Sequence, residues 1–346
     1  MHVVIVTDAW YPQVNGVVRV MDSVRKCLEN RGIKVSLIEP GQFRTFPCPG
    51  YPEIPLALLP GGKVERLLKG FEPDAVHIST EGPLGKAARS FCLKNRWPFT
   101  TAYHSKFPEY INARTKIPID WLYTGIKRFH APSSGVLTPS PSVYRELEAR
   151  AFPNLRYWTH GVDTDVFKPR GKDFLDLPRP IHMFVGRVTV DKNIPAFLDL
   201  DLPGSKVVVG TGPGRESLIK RYPDTKFIIA NGDDELAKLY SAGDVFVFPS
   251  LTDTFGLVML EALACGVPVA AFPVTGPTDV LGDSGAGCLD GNLENAIEGA
   301  LKIPPERCRA HAETFSWETV AEQFLGYLRP IKSQAPGFVD LAANRA

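Results

Sequence analysis

The chain has 346 residues, 44% of them hydrophobic and 22% charged, with a net charge of +1. These values exclude a disordered, collagen-like or disulfide-stapled chain and suit a globular protein of about two domains. The near-neutral balance gives no footing for nucleic-acid binding, and no run of about 18 apolar residues is present to span a membrane.

The opening "MHVVIVTD" reads as a buried strand, not as a secretion leader. A helix follows in "VVRVMDSVRKCLENRG", where Val17, Val20, Met21, Val24 and Leu28 share a face and Gly32 stops it. Asn15 and Gly16 sit at its start. Free amides and the helix dipole there favour an anion, and the same pair also reads as a plain cap. "KVSLIEP" and "DAVHIS" are further strands, "GPLGKAARSFCLKNRW" a helix, and "FTTAYHS" a strand that ends at His104. A histidine at a strand's carboxyl end suits acid–base work or a structural role. "GVLTPS" and "PSVYRELEARAF" add one more strand and helix.

Residues 1–165 carry 21 Lys/Arg against 15 Asp/Glu, and much of the excess lies in 86–128. There Lys106, Arg114, Lys116, Lys127 and Arg128 are interleaved with aromatics such as Trp121. The segment reads either as solvated helix faces or as a surface that meets an anionic membrane and a lipid acceptor. The six cysteines show no C-x-x-C pair and are expected to be reduced, in a cytoplasmic setting.

Composition changes at 165–180, where "DVFKPRGKDFLDLPRP" looks like a linker. Strand–helix alternation then restarts. "IHMFVGR" is a strand followed by Arg187 and Lys192, two cations that suit a diphosphate or a surface salt bridge. "VVVGTGPG" is a strand and a glycine turn around Gly212. Its spacing is not that of a dinucleotide fingerprint, and it suits the edge of a nucleotide better than a pyrophosphate. "DVFVFPS" is a strand, and "FGLVMLEALACG" a helix. Asp253 or Thr254 can be read as a cap for that helix, with the amides of Phe255, Gly256 and Leu257 unsatisfied within it. Glu261 falls among apolar neighbours and needs a partner, either a cation or a ribose hydroxyl pair. No metal-ligand set is evident; Asp233, Asp234 and Glu235 are the acids expected in a first helical turn.

Two βαβα runs imply an α/β protein of two doubly wound, Rossmann-like domains facing a central cleft. The expected domains are 1–167 for the acceptor and 168–313 for the donor. Residues 314–346 are expected to form a helix crossing back to the first domain and a loose tail.

The motifs "NGVVRV", "AYHSKFPEY", "HGVDTDVFKP", "VGRVTVDKN", "GTGPG", "ELAKLYSAGDVFVFPS" and "SLTDTFGLVMLEALACG" stand in order along the chain. Together they resemble the retaining glycosyltransferases of family 4, with the GT-B fold. The resemblance implies that Gly16 faces the donor phosphate and that Arg187 and Lys192 neutralise the diphosphate. It further implies that Asp253 meets the transferred sugar, Glu261 holds the ribose, and His104 lies beside sugar and acceptor. Asp253 stands where that family usually has Glu, Asn15 where a glycine is common, and His160 where other residues are common. The nearest branch is that of bacterial lipid glycosyltransferases. It implies a UDP-sugar donor, a diacylglycerol-type acceptor, no metal or other cofactor, and peripheral association with the inner face of the cell membrane. A GDP-mannose-dependent enzyme, a soluble or polysaccharide acceptor, and a non-catalytic nucleotide-sugar binder are the alternatives.

Overall fold

The computed structural model of the chain describes residues 1–13, 15–48 and 51–332, without the side chains at 51–53, 110, 113 and 114. The expected loose tail from 333 and the side chain of Arg114 lie outside the described residues. The chain divides into two compact units, Met1–Thr159 with the residues from Trp317, and His160–Ser316. The first boundary precedes the proline-rich linker because Val162 and Phe167 already pack in the second unit's core. The amide of Val162 also donates to the Phe315 carbonyl at 3.0 Å.

The first unit runs β1 (His2–Val6), α1 (Gly16–Asn30), β2 (Lys34–Ile38), β3 (Thr45–Cys48), β4 (Tyr51–Ala57), α2 (Gly61–Phe71), β5 (Ala75–Ile78), α3 (Pro83–Asn95), β6 (Phe99–Ala102), α4 (Phe107–Thr115), α5 (Ile119–His130), β7 (Gly135–Thr138), α6 (Pro141–Ala149) and β8 (Leu155–Tyr157). The second runs β9 (Ile181–Val185), α7 (Pro195–Leu198), β10 (Ser205–Val209), α8 (Arg215–Arg221), β11 (Lys226–Ile228), α9 (Asp233–Ala242), β12 (Val245–Phe248), α10 (Leu257–Ala264), β13 (Val269–Ala271), α11 (Pro277–Leu281), β14 (Gly287–Leu289), α12 (Leu293–Ala300) and α13 (Pro305–Ala312). α14 (Trp317–Tyr327) returns to the first unit, where the Trp158 indole donates to the Val320 carbonyl at 3.0 Å.

Each unit is built on a six-stranded parallel sheet. The orders are β2-β1-β5-β6-β7-β8 and β11-β10-β9-β12-β13-β14. The central strands β5, β6, β7, β9, β12 and β13 are buried on both faces, as parallel strands covered on both sides must be. Val3, Val4, Ile5 and Val6 are all fully buried, as are Val245, Phe246 and Val247. At about 1.5–3 kcal/mol for each large apolar side chain, this burial drives both folds.

The strand orders also say where ligands belong. In an open α/β sheet the crevice lies beyond the carboxyl ends of the strands, where the order reverses. In the second unit that point is between β9 and β12. In the first it is between β1 and β5.

Candidate active site

The loops leaving β9 and β12 carry Arg187, Lys192 and Asp253, so three of the expected side chains stand at the second unit's switch point. Lys192 ends a short 3-10 turn, and its Nζ lies 2.6 Å from Asp253 Oδ1. Both side chains are 18% exposed. Asp253 Oδ2 is buried and makes no hydrogen bond. The two loops are tied by Asn193, whose amide donates to the Pro249 carbonyl at 3.1 Å.

The loop with Arg187 is fixed from its other side by the glycine turn. Val188 N donates to Thr211 O at 2.8 Å, and Gly214 N donates to Val188 O at 3.0 Å. Gly212 has φ +154°, and a Cβ there would lie 2.4 Å from the Val188 carbonyl oxygen. Gly212 thus has a packing reason to be glycine, independent of any nucleotide.

The start of α10 differs from expectation. The capping position is Gly256, at φ +94°, which has no side chain to cap the helix. The left-handed φ at Gly256 favours glycine; a Cβ there would also lie 2.6 Å from Met259 Cε, the movable end of a flexible side chain. Neither Asp253 nor Thr254 is the cap, and Asp253 is left for Lys192. Phe255 lies before the helix, 3% exposed, with its ring centroid 4.9 Å from that of His160. The first helical amide is that of Leu257, not Phe255. Glu261 is 4% exposed on the same helix, and the Tyr240 hydroxyl donates to its Oε2 at 3.0 Å. Tyr240 gave no signal in the sequence beyond its place on the buried face of α9.

In the first unit, Asn15 is the cap of α1, its Oδ1 accepting from Val18 N at 3.1 Å, and Gly16 is the exposed first helical residue. The His104 ring lies just past β6, edge-on to Trp158 at 6.0 Å. The residue that sequence reasoning missed here is Asp8. Its carboxylate accepts from Leu84 N at 2.8 Å, Gly85 N at 3.2 Å and the Thr80 hydroxyl at 2.8 Å. It therefore fills the β1–β5 switch point and caps α3. Burial pushes its carboxyl pKa up, against the lowering by these three donors. The sequence signal was an acid directly after a buried strand.

The basic surface is reduced from what its sequence implied. Lys106 is only 12% exposed and pairs with Glu146 at 2.8 Å, so it does not face solvent. Lys127 donates to the Arg150 carbonyl at 3.1 Å. Lys116, Arg128 and Trp121 are exposed. Among the described residues no helix is long and apolar enough to cross a membrane, and no group of three or more His, Cys, Asp or Glu could hold a metal ion.

Two parallel-sheet units, with an ion-paired lysine and aspartate at the switch point of the second, define a protein of the GT-B class. The family model "Glycosyltransferase Family 4" matches residues 14–166, and "Glycosyl transferases group 1" matches residues 179–303. The chain belongs to this glycosyltransferase family. It is 31% identical to the sulfoquinovosyl transferase SQD2 of Arabidopsis thaliana, over 79% of the chain and 60% of that protein's length. It is 28% identical to a GDP-mannose-dependent alpha-mannosyltransferase of Mycobacterium tuberculosis, over 96% of the chain and 98% of that relative. Among solved structures, a sucrose-phosphate synthase from Thermosynechococcus elongatus superposes with a TM-score of 0.73 at 21% identity, covering 93% of this chain and 97% of that one. Anabaena HepE in complex with UDP and glucose gives 0.70 at 15% identity, covering 94% and 98%.

Proposed function

We propose that the protein moves a sugar from a nucleoside diphosphate to a hydroxyl of a membrane lipid such as diacylglycerol, with retention of anomeric configuration and without a metal. The observation that carries the donor side is the Lys192–Asp253 pair, with Asp253 Oδ2 buried and without a hydrogen-bond partner. An incoming diphosphate offers Lys192 more negative charge than one carboxylate does. Lys192 and Arg187 turn to the phosphates, and the α10 N-terminus at Leu257 adds amide donors. Asp253, released from Lys192, accepts from hydroxyls of the transferred sugar. Glu261 accepts from the ribose. As the sugar–phosphate bond breaks, the diphosphate gains charge. The same two cations and amides stabilise it, in the manner of an oxyanion hole. The acceptor hydroxyl attacks from the departing side and gives its proton to the leaving phosphate. His104 and the Asn15–Gly16 turn are assigned to the acceptor and the donor phosphate on the resemblance alone.

A UDP-sugar is the first reading of the donor. GDP-mannose is the second, favoured by the relative that matches nearly end to end. The test is a panel of UDP-glucose, UDP-glucuronate, UDP-sulfoquinovose and GDP-mannose, each with diacylglycerol in mixed micelles and with free sugars. Turnover of one UDP-sugar onto diacylglycerol is expected. Turnover of GDP-mannose alone would replace the donor assignment. Equal transfer to free sugars would remove the lipid one.

A further inference from the structure

A cavity of about 470 Å³ lies in the first unit, within the range of small-molecule sites. It is not at the β1–β5 switch point. It lies by β2, the edge strand of the sheet, on the other side of β1 from β5. Val35 and Leu37 of β2 line it, and so do Asp22, Arg25 and Glu29 from one side of α1. Trp10 and Tyr11, from the loop after β1, and Glu39 and Gln42, from the turn after β2, complete the wall. Two features there point to a ligand. Tyr11 is 53% exposed, yet its hydroxyl donates to Asp22 Oδ2 at 3.1 Å and its ring meets Trp10 edge-on at 5.6 Å. An exposed aromatic ring fixed in this way is a platform that loses little entropy when a ligand stacks on it. The second feature is Gln42. β2 bonds to the β1 side through Lys34 N and Ile38 O, so the Leu37 carbonyl faces outward, where Gln42 Nε2 donates to it at 3.0 Å. The Oε1 of the same amide is buried without a hydrogen-bond partner among the described residues. A buried acceptor left unpaired is costly, and the soft terminal torsion of glutamine lets it turn to a hydroxyl in the cavity.

We infer that this cavity is a binding site for a neutral saccharide. The C–H face of a pyranose stacks on Tyr11, and its hydroxyls donate to Gln42 Oε1 and to the remaining lone pairs of Asp22 and Glu39. The ionic groups are already engaged, so a charged ligand gains nothing from them. Asp22 pairs with Arg25 at 2.7 Å and with Lys26 at 2.9 Å, and Glu29 pairs with Arg25 at 2.6 Å. Glu39 Oε2 accepts from Gly41 N at 2.6 Å, and the Lys63 ammonium donates to the main-chain carbonyl of Gln42. An ionised carboxylate has room for further donors after one such bond, and hydroxyls are the donors that need no counter-charge. A peptide strand added to the β2 edge fits less well, because Gln42 already occupies the Leu37 carbonyl. The cavity is in the other unit from Lys192 and Asp253. It is therefore additional to the donor site, and the inference does not depend on the acceptor being a lipid.

The test titrates the full chain, without nucleotide, with methyl α-D-glucoside, methyl α-D-mannoside and methyl α-D-glucuronide. Saturation-transfer NMR and tryptophan fluorescence are the readouts. At least one of the two neutral glycosides is expected to bind, and the glucuronide no more tightly. Tyr11→Ala should weaken that binding about tenfold, the upper range for one aromatic contact, with its melting temperature kept because the side chain is exposed. Tyr11→Phe keeps the ring and should stay within about twofold of wild type. Lys192→Ala should bind the glycoside as wild type does. The inference would be overturned by no saturation transfer to either neutral glycoside, by tighter binding of the glucuronide, or by a Tyr11→Ala variant that binds like wild type. Equal weakening in Tyr11→Phe and Tyr11→Ala would overturn the stacking on which it stands. Loss of binding in Lys192→Ala would assign the sugar to the donor site instead.

Discussion

Lys192 and Asp253 hold each other at 2.6 Å, so a diphosphate has to take the ammonium from a carboxylate that is already in place. Two opposite expectations follow from that exchange. Lys192→Ala removes a cation from the leaving group and should lower kcat by about 10²–10³, the size of losing one oxyanion donor; near-normal turnover would remove Lys192 from the mechanism. Asp253→Asn removes the competitor and keeps the shape. It should bind the nucleoside diphosphate product a few-fold more tightly in calorimetry, about 1 kcal/mol, while its turnover falls. Weaker product binding in Asp253→Asn would mean that Lys192 is not a phosphate ligand. The sequence singled out both residues but read Asp253 as a possible cap. That reading fails on one dihedral angle: the left-handed Gly256 starts α10 by itself, and a φ is not visible in a string of letters.

Elements were legible where a single rule sufficed. Strands such as β12 are unbroken apolar runs, and helices such as α1 carry a clear stripe, although Val18 rather than Val17 is on its buried side. The β3–β4 ribbon was not read, because Pro47, Pro52 and Pro55 argue against a strand. It forms as a two-stranded antiparallel ribbon outside the main sheets, where each strand has one partner and missing amides are tolerated. α4 and α5 lie in the segment that reads as solvated helix faces, without bounds; Pro108 stands in the first turn of α4 and Pro118 just before α5, where proline is tolerated. The glycine turn after β10 was read as a ligand edge when its first duty is to let two loops touch. Gly212→Ala should therefore cost about 1–3 kcal/mol through the clash with Val188 O and the forbidden φ. Thermal unfolding of the nucleotide-free protein checks this. An unchanged midpoint would return Gly212 to a purely ligand-facing role.

At the scale of the whole molecule, acid sensitivity separates into two windows. His77 is fully buried on β5, between Thr100, whose hydroxyl lies 2.9 Å from Nδ1, and Phe324, edge-on at 4.9 Å. Burial lowers its pKa from 6.5 to about 3. The folded chain therefore holds it neutral, while the unfolded chain protonates it below pH 6.5. The stability is present above pH 6.5 and is lost progressively as pH falls toward 3, about 2 kcal/mol by pH 5 from this group alone. His182, also lowered by burial, acts with the same sign. Asp22 and Glu146, whose carboxyls are held below their usual values by Arg25 and Lys26 and by Lys106 and Tyr123 against the opposing effect of burial, lose their contribution only under more acidic conditions. Asp8 acts in reverse. Burial raises its pKa, so protonation on the way down favours the folded state. Urea unfolding at pH 7.5, 6 and 5 should show stability falling in this first window, before most carboxylates titrate. His77→Gln, which can still bond Thr100, should flatten the slope there by up to about 1.4 kcal/mol per pH unit, one proton's worth. An identical slope in wild type and His77→Gln would mean that the His77 ring is reached by water in the native state and does not set the acid limit of the fold.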